Sequence, residues 1–210
     1  MKHNDSGLSI LELIIAVSII AILAAVLTPQ YLKYVTKAKK ATDIESAEKI
    51  GRAFEIAFMF NEASYDIYNS WNGVRMNNLT VTANGKQEKY DVFLVLSSET
   101  NGFFSGGEQK FKKDLGNGQC FYDIINEELG VYYEKGGDKS KAKSKNKVMI
   151  PRYNGVGPDG KTAIDRWRVV KRVSDGRLEV WSAYDLHDKK SYGGKPCYRV
   201  WPDPDDIYKK

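Results

Sequence analysis

Two patterns of apolar and polar residues divide the chain. From Gly7 to Leu32 it reads GLSILELIIAVSIIAILAAVLTPQYL, apolar on every side of a helix, with one acid, Glu12, near the start and no charge from Leu13 to Leu32. A helix needs about 20 such residues to cross the hydrocarbon core of a bilayer. A carboxylate inside such a run is costly in lipid and points to a function and a partner. Beyond Pro29 the pattern becomes one-sided. Ile44, Ala47, Gly51, Phe54 and Phe58 recur at spacings of three or four, while Lys37, Lys39, Lys40, Glu45, Glu48, Lys49, Arg52 and Glu55 fall on other faces. The spacing predicts one long helix from Leu8 to Asn61, membrane-spanning over 8–33 and amphipathic over 34–61, with its apolar stripe laid on a sheet. Pro29 lacks an amide hydrogen and is expected to kink the helix or let it melt locally.

After Asn61 the period changes. EASYDIYNSWNGVRMNN reads as an aromatic surface loop. LTVTA, the turn Asn84-Gly85 and KYDVFLVL predict a strand pair. Cys120–Leu129 has helical spacing with Gly130 as its stop. IDRWRVVKRV, the turn around Asp175-Gly176 and RLEVWSAY predict a hairpin, with a last short strand at Cys197–Trp201. One long helix followed by strands gives an α+β fold, with an antiparallel sheet in a globular head over 62–210.

The bulk numbers fit one soluble head on one anchor. Of the 210 residues, 42% are hydrophobic and 28% charged, and the formal net charge is +5. Lys2 and Asp5 cancel in the leader MKHNDSG, so the rest keeps that charge. A mildly basic chain tolerates anionic lipid, glycan or nucleic acid without requiring any of them. A secretory signal would place its small-residue cleavage site after the apolar core. Here Ala24 and Ala25 lie inside the run, and Gly7 precedes it. Either cleavage falls before the core, which then stays with the mature protein, or the segment is an uncleaved single-pass anchor. Cys120 and Cys197 are the two cysteines. An even count in an exported domain favours a disulfide, worth on the order of 4 kcal/mol for so long a loop, with two unpaired thiols as the alternative.

The segment GLSILELIIAVSIIAILAAVLTPQY resembles the prepilin N-terminus of the type IV pilin and pseudopilin superfamily. In that family a short leader ends in Gly, the next apolar residue becomes the new N-terminus, and a Glu follows as its fifth residue. Counted from Leu8, Glu12 is fifth; Pro29, Tyr31 and Tyr34 also stand where the family carries proline and tyrosines. Leu8 and Ser9 replace the more usual Phe and Thr. The resemblance covers residues 6–47. It implies cleavage between Gly7 and Leu8 by a prepilin peptidase and N-methylation of Leu8. It also implies a filament in which Glu12 meets the N-terminal ammonium of a neighbour and sets the axial register. The unit before assembly would be a single-pass protein of the cytoplasmic membrane, and afterwards part of an extracellular or periplasmic filament. Its partners would be itself and other pilins, the peptidase and a membrane assembly platform. The implied role is a structural subunit serving adhesion, motility or uptake. The alternatives are a pseudopilin of a type II secretion-like machine and a minor pilin that binds DNA or a surface.

Catalysis has no support. His3 and His187 are the only histidines, and no metalloprotease, dithiol, phosphate-loop or nucleophile-elbow motif occurs. No cofactor is expected. Asp159 with Asp165, and Asp203 with Asp205, are weak calcium candidates, because Asp-Gly is above all a turn dipeptide. The basic run KGGDKSKAKSKNK carries Lys139, Lys141, Lys143, Lys145 and Lys147, which could touch a polyanion through weak, salt-sensitive phosphate contacts. No aromatic interleaves within it, so stacking on single strands is unsupported, and a solvated loop is the plainer reading. Trp167 and Trp181 lie in the hairpin arms and are expected in the core.

Overall fold

A computed structural model describes residues 9–70, 79–83, 86–97, 114–116, 118–130, 151–153, 155–157, 160, 163–184 and 196–209; at 79–87, 92–97 and 196–197 only the backbone is described. The elements run α1 (Ile10–Met59), α2 (Glu62–Ser70), β1 (Leu79–Ala83), β2 (Lys86–Ser97), α3 (Phe121–Glu128), β3 (Arg166–Arg172), β4 (Leu178–Ala183), β5 (Pro196–Trp201) and a last turn α4 (Asp206–Lys209). The five strands form one antiparallel sheet in the order β1-β2-β3-β4-β5. The α+β architecture expected from the two periodicities is present. The chain divides into two compact units, Met1–Lys39 and Lys40–Lys210.

In the second unit, the stripe of α1 builds the core. Ala47, Ile50, Ala53, Phe54, Ala57 and Phe58 are buried with Phe121, Ile124 and Ile125 of α3 and with Trp167, Val169, Leu178, Val180 and Val200 of the sheet. Phe58 and Phe121 rings meet with centroids 4.7 Å apart. At Gly51 the helix lies close against Trp201. A Cβ there would lie 2.6 Å from the Trp201 ring, so only a glycine lets the indole lie flat on the helix. The β3–β4 turn closes through Gly176 at φ +72°, and the Gly176 N–H donates to the Arg172 carbonyl.

Strand alternation sends Trp167 and Val169 to this core and Arg166, Arg168, Val170 and Arg172 to the other sheet face. Trp181 is buried as expected, but on that second face, where its ring meets Tyr90 edge-on at 5.4 Å. Its Nε1–H donates to Glu179 at 2.7 Å; Glu179 is fully buried and also accepts from Arg172 Nη2. A buried carboxylate is tolerated because donors surround it.

One local expectation needs correction. The segment expected as a loop after Asn61 begins with helix α2. Asn61 is its N-cap, with Oδ1 accepting from the Ser64 N–H at 2.9 Å. Pro29, the expected kink position, lies inside the continuous helix α1. Proline removes only one helical hydrogen bond, and the turns on either side keep theirs.

Candidate functional site

The first unit is a helix with nothing of its own to bury it. Every large apolar side chain from Ile10 to Leu32 is more than half exposed, Ile10 by 78% and Leu32 by 56%. It is long and apolar enough to cross a membrane. Its start is built by Ser9 and Glu12. The Ser9 N–H donates to Glu12 Oε2 at 2.9 Å, and the Leu11 N–H donates to Ser9 Oγ at 3.3 Å. This reciprocal cap satisfies two of the amide hydrogens that a helix start leaves open, and it holds a carboxylate at the positive end of the helix dipole. The Ser-x-x-Glu spacing was a legible signal for it. Three hydroxyls of α1 turn back on the helix. Ser18, Thr28 and Thr36 donate to the carbonyls four residues earlier, at 2.8, 2.6 and 2.9 Å. No hydroxyl among them needs a partner from outside. Gly7 and Leu8, the expected cleavage and methylation positions, lie outside the described residues.

In the head, the described calcium-candidate acids make other contacts. Asp203 Oδ2 accepts from Arg177 at 2.7 Å, Asp205 Oδ2 accepts from the Arg199 N–H at 2.9 Å, and Asp165 pairs with Arg166 at 2.7 Å. No group of three or more potential metal ligands occurs among the described residues, and Asp159 lies outside them. These carboxylates tie β5, α4 and β3 in place. Lys139, Lys141, Lys143, Lys145 and Lys147 also lie outside the described residues. Cys120 is a free thiol among the described residues, and the side chain of Cys197, its expected partner, lies outside them. Cys120 is the N-cap of α3, with Sγ 3.1 Å from Asp123 Oδ2. Burial first, then the hydrogen bond to Asp123, pushes its pKa above the ordinary value of 9.0.

Two features escaped the sequence reading. Asp43, on the buried stripe of α1, is fully inaccessible; its two oxygens accept from the Arg152 and Tyr153 N–H groups at 2.6 and 2.9 Å. It pins the Pro151–Tyr153 segment, and Lys40 Nζ stands 4.8 Å over the Tyr153 ring. An acid one helical turn before Ala47 on an apolar face was the available signal. The second is a cleft of about 450 Å³ between the last turns of α1, helix α2, the β3–β4 turn and the end of β5, lined among others by Glu55, Phe58, Tyr65, Tyr68, Arg177 and Trp201. Burial, then Asp175, Tyr65 and Glu55, raises the Tyr68 phenol above its ordinary pKa of 10.0.

A long apolar helix with one acid at its start, followed by an antiparallel sheet, is a type IV pilin-like arrangement. The comparisons with known proteins agree. The family model for the prokaryotic N-terminal methylation motif matches residues 2–28. The chain is similar to two type IV major fimbrial proteins FimA of Dichelobacter nodosus. One is 29% identical over 85 residues, covering 40% of this chain and 53% of the relative. The other is 29% identical over 73 residues, covering 35% and 47%. The chain thus spans about half the length of the curated relatives it matches. No solved structure matches it. The N-terminal motif and these relatives support a type IV pilin-like subunit.

Proposed function

We propose that the chain is a structural subunit of a type IV pilus-like filament serving adhesion, motility or uptake. It enters the cytoplasmic membrane through its N-terminal helix. A prepilin peptidase cuts between Gly7 and Leu8 and methylates the Leu8 amine, and a membrane platform then adds the subunit to a filament of this and other pilins. The observation that carries this reading is the bare helix from Ile10 to Leu32, with Glu12 as its single charged residue. Such a helix exchanges lipid for an equally apolar bundle of its own kind at little cost, because the apolar area removed from water is the same in both. The acid does not exchange freely. Left unpaired in an apolar interior it costs several kcal/mol, and opposite a neighbour's ammonium it is compensated only in one register.

Intact and N-terminal mass spectrometry on sheared surface filaments tests this. The expected species begins at N-methyl-Leu8. A processed species confined to membranes would reassign the chain to a short periplasmic pseudopilus, and an uncut Met1 species would overturn the reading. Glu12→Val is expected to leave membrane insertion intact and to remove the subunit from filaments.

A further inference from the structure

The cleft at the end of α1 lies within the second unit, Lys40–Lys210. Its walls are aromatic. Phe58 and Tyr68 stand with ring centroids 4.8 Å apart, Tyr65 is 55% exposed, and Trp201 is fixed from behind by its contact with Gly51. Tyr68 is held by its hydroxyl, which donates to the Gly176 carbonyl. The rings are therefore set in place before any ligand arrives, which lowers the ordering cost of binding. The volume falls in the range of small-ligand pockets, about 300–1,000 Å³.

Charge decides what kind of ligand suits it. The cation on the wall, Arg177, is already matched by Asp203 at 2.7 Å. Near Tyr68, Arg172 pairs with Asp175 at 3.0 Å, and Lys171 interacts with Asp91. Glu55 makes no hydrogen bond or ion pair among the described residues. Among the described residues, the cleft therefore carries one carboxylate without an ion-pair partner, Glu55, beside several aromatic rings. Aromatic rings attract cations through their quadrupole, and an aromatic cage with a carboxylate is suited to an ammonium whose N–H donors are replaced by methyl groups. The ring of Tyr68 already takes a cation, with Lys171 Nζ 4.6 Å from its centroid. A neutral sugar would leave the Glu55 charge unmatched, and an anion would be repelled by it.

We propose that this cleft binds an organic ammonium cation of choline size, with Glu55 as counter-ion and the rings of Tyr65 and Trp201 as contact faces. The test uses the full processed chain in phosphatidylglycerol nanodiscs, which contain neither choline nor sugar, titrated with choline and followed by the Trp201 indole resonance, assigned through Trp201→Phe. A saturable shift with a dissociation constant of about 1 mM is expected. Glu55→Gln and Tyr65→Ala, both at exposed positions, are expected to weaken it about tenfold with the other resonances unmoved. Methyl glucoside and inorganic phosphate are expected to produce no saturable shift. Equal choline binding by Glu55→Gln, no saturation at about fifty times that concentration, or preferential binding of the glucoside would each overturn the proposal. The outcome is independent of whether the chain assembles, because the nanodisc holds it as a single subunit.

Discussion

Replacing Asp43 by alanine tests whether the head is held by a buried charge and not by its apolar stripe alone. The Asp43 side chain is inaccessible and receives the Arg152 and Tyr153 N–H groups at 2.6 and 2.9 Å. Hydrogen bonds to a charged acceptor are worth roughly 1.5–3 kcal/mol each, and a buried amide left without a partner costs about 1–3 kcal/mol. Removing the carboxylate also relieves its desolvation, which offsets part of the loss. The net expectation is about 2–5 kcal/mol of lost stability. For a chain of this size, that lowers the midpoint of thermal unfolding by roughly 5–15 °C. Asp43→Asn keeps the volume and one acceptor, but turns an NH2 toward an amide donor, so it should fall between alanine and the native chain. The assay is thermal unfolding of the full chain in detergent micelles, followed by near-ultraviolet circular dichroism, which reports the packed aromatic core. Glu45→Ala is the control. Glu45 lies on the same helix in an ion pair with Lys49, 2.7 Å apart and open to solvent, and its loss should not move the midpoint measurably. An Asp43→Ala midpoint indistinguishable from the native one would refute the reasoning, since the two amides would then have found other acceptors.

Gly51→Ala places a methyl 2.6 Å from the Trp201 ring and should cost roughly 1–3 kcal/mol through displacement of the indole, measured as a lower urea midpoint together with a changed Trp201 signal. Glu179→Ala leaves Arg172 and the Trp181 indole N–H facing a void, and about 3–5 kcal/mol of destabilisation is expected by the same assay. Cys120→Ser should retain the native midpoint at pH 7, since serine is a good N-cap; a fall of about 2–5 kcal/mol would instead show a disulfide in the native protein. The Cys120 thiol also sets a pH dependence. Its folded pKa is raised above the unfolded value, so the folded state holds the proton more tightly. Its contribution is constant below about pH 8 and is lost as pH rises through 9 and the folded pKa. The native chain should therefore lose stability relative to Cys120→Ser above pH 9, and parallel pH profiles for the two would contradict the assigned burial.

The long helix, the strand pair, the hairpin and the last strand were legible because each rests on a local period. The stripe from Ala47 to Phe58 repeats at helical spacing, and the arms at 166–172 and 178–183 alternate around an Asp-Gly turn. What escaped depends on partners distant in sequence. Trp167 and Trp181 read alike as apolar strand residues, yet the register pairs Arg168 with Trp181 and sends the two indoles to opposite faces. Asp43 reads as a solvated acid until Arg152 and Tyr153, more than a hundred residues away, bring their amides to it. Helix α2 was missed because its aromatic residues suggested a loop, while the decisive feature was the single Asn61 cap. The acids near β5 cluster in sequence, while their ion pairs with Arg177 of the β3–β4 turn and Arg199 of β5 depend on the fold.

The hydrogen bonding of the N-terminal helix explains why one residue can govern its fate. Ser18, Thr28 and Thr36 spend their hydroxyl protons on carbonyls one turn back, so these groups are indifferent to whether lipid or protein surrounds them. The apolar side chains are equally indifferent, since hydrocarbon and a leucine-rich interior solvate them alike. Moving the helix from one medium to the other therefore changes few terms, and Glu12 is the largest that remains. Its cap with Ser9 supplies one amide donor, which satisfies part of a carboxylate and leaves its charge unneutralised. A medium that offers a cation at that depth is preferred over one that does not, by an amount set by the Coulomb term in a low dielectric. Substituting Glu12 by Gln keeps an acceptor for the Ser9 amide while removing the charge, which separates the two roles. If the cap alone mattered, Glu12→Gln would enter filaments as well as the native chain. If neutralisation of the charge is what selects the filament, it should insert in the membrane normally and be depleted from sheared filaments in competition with the native subunit, as read by quantitative mass spectrometry of mixed populations.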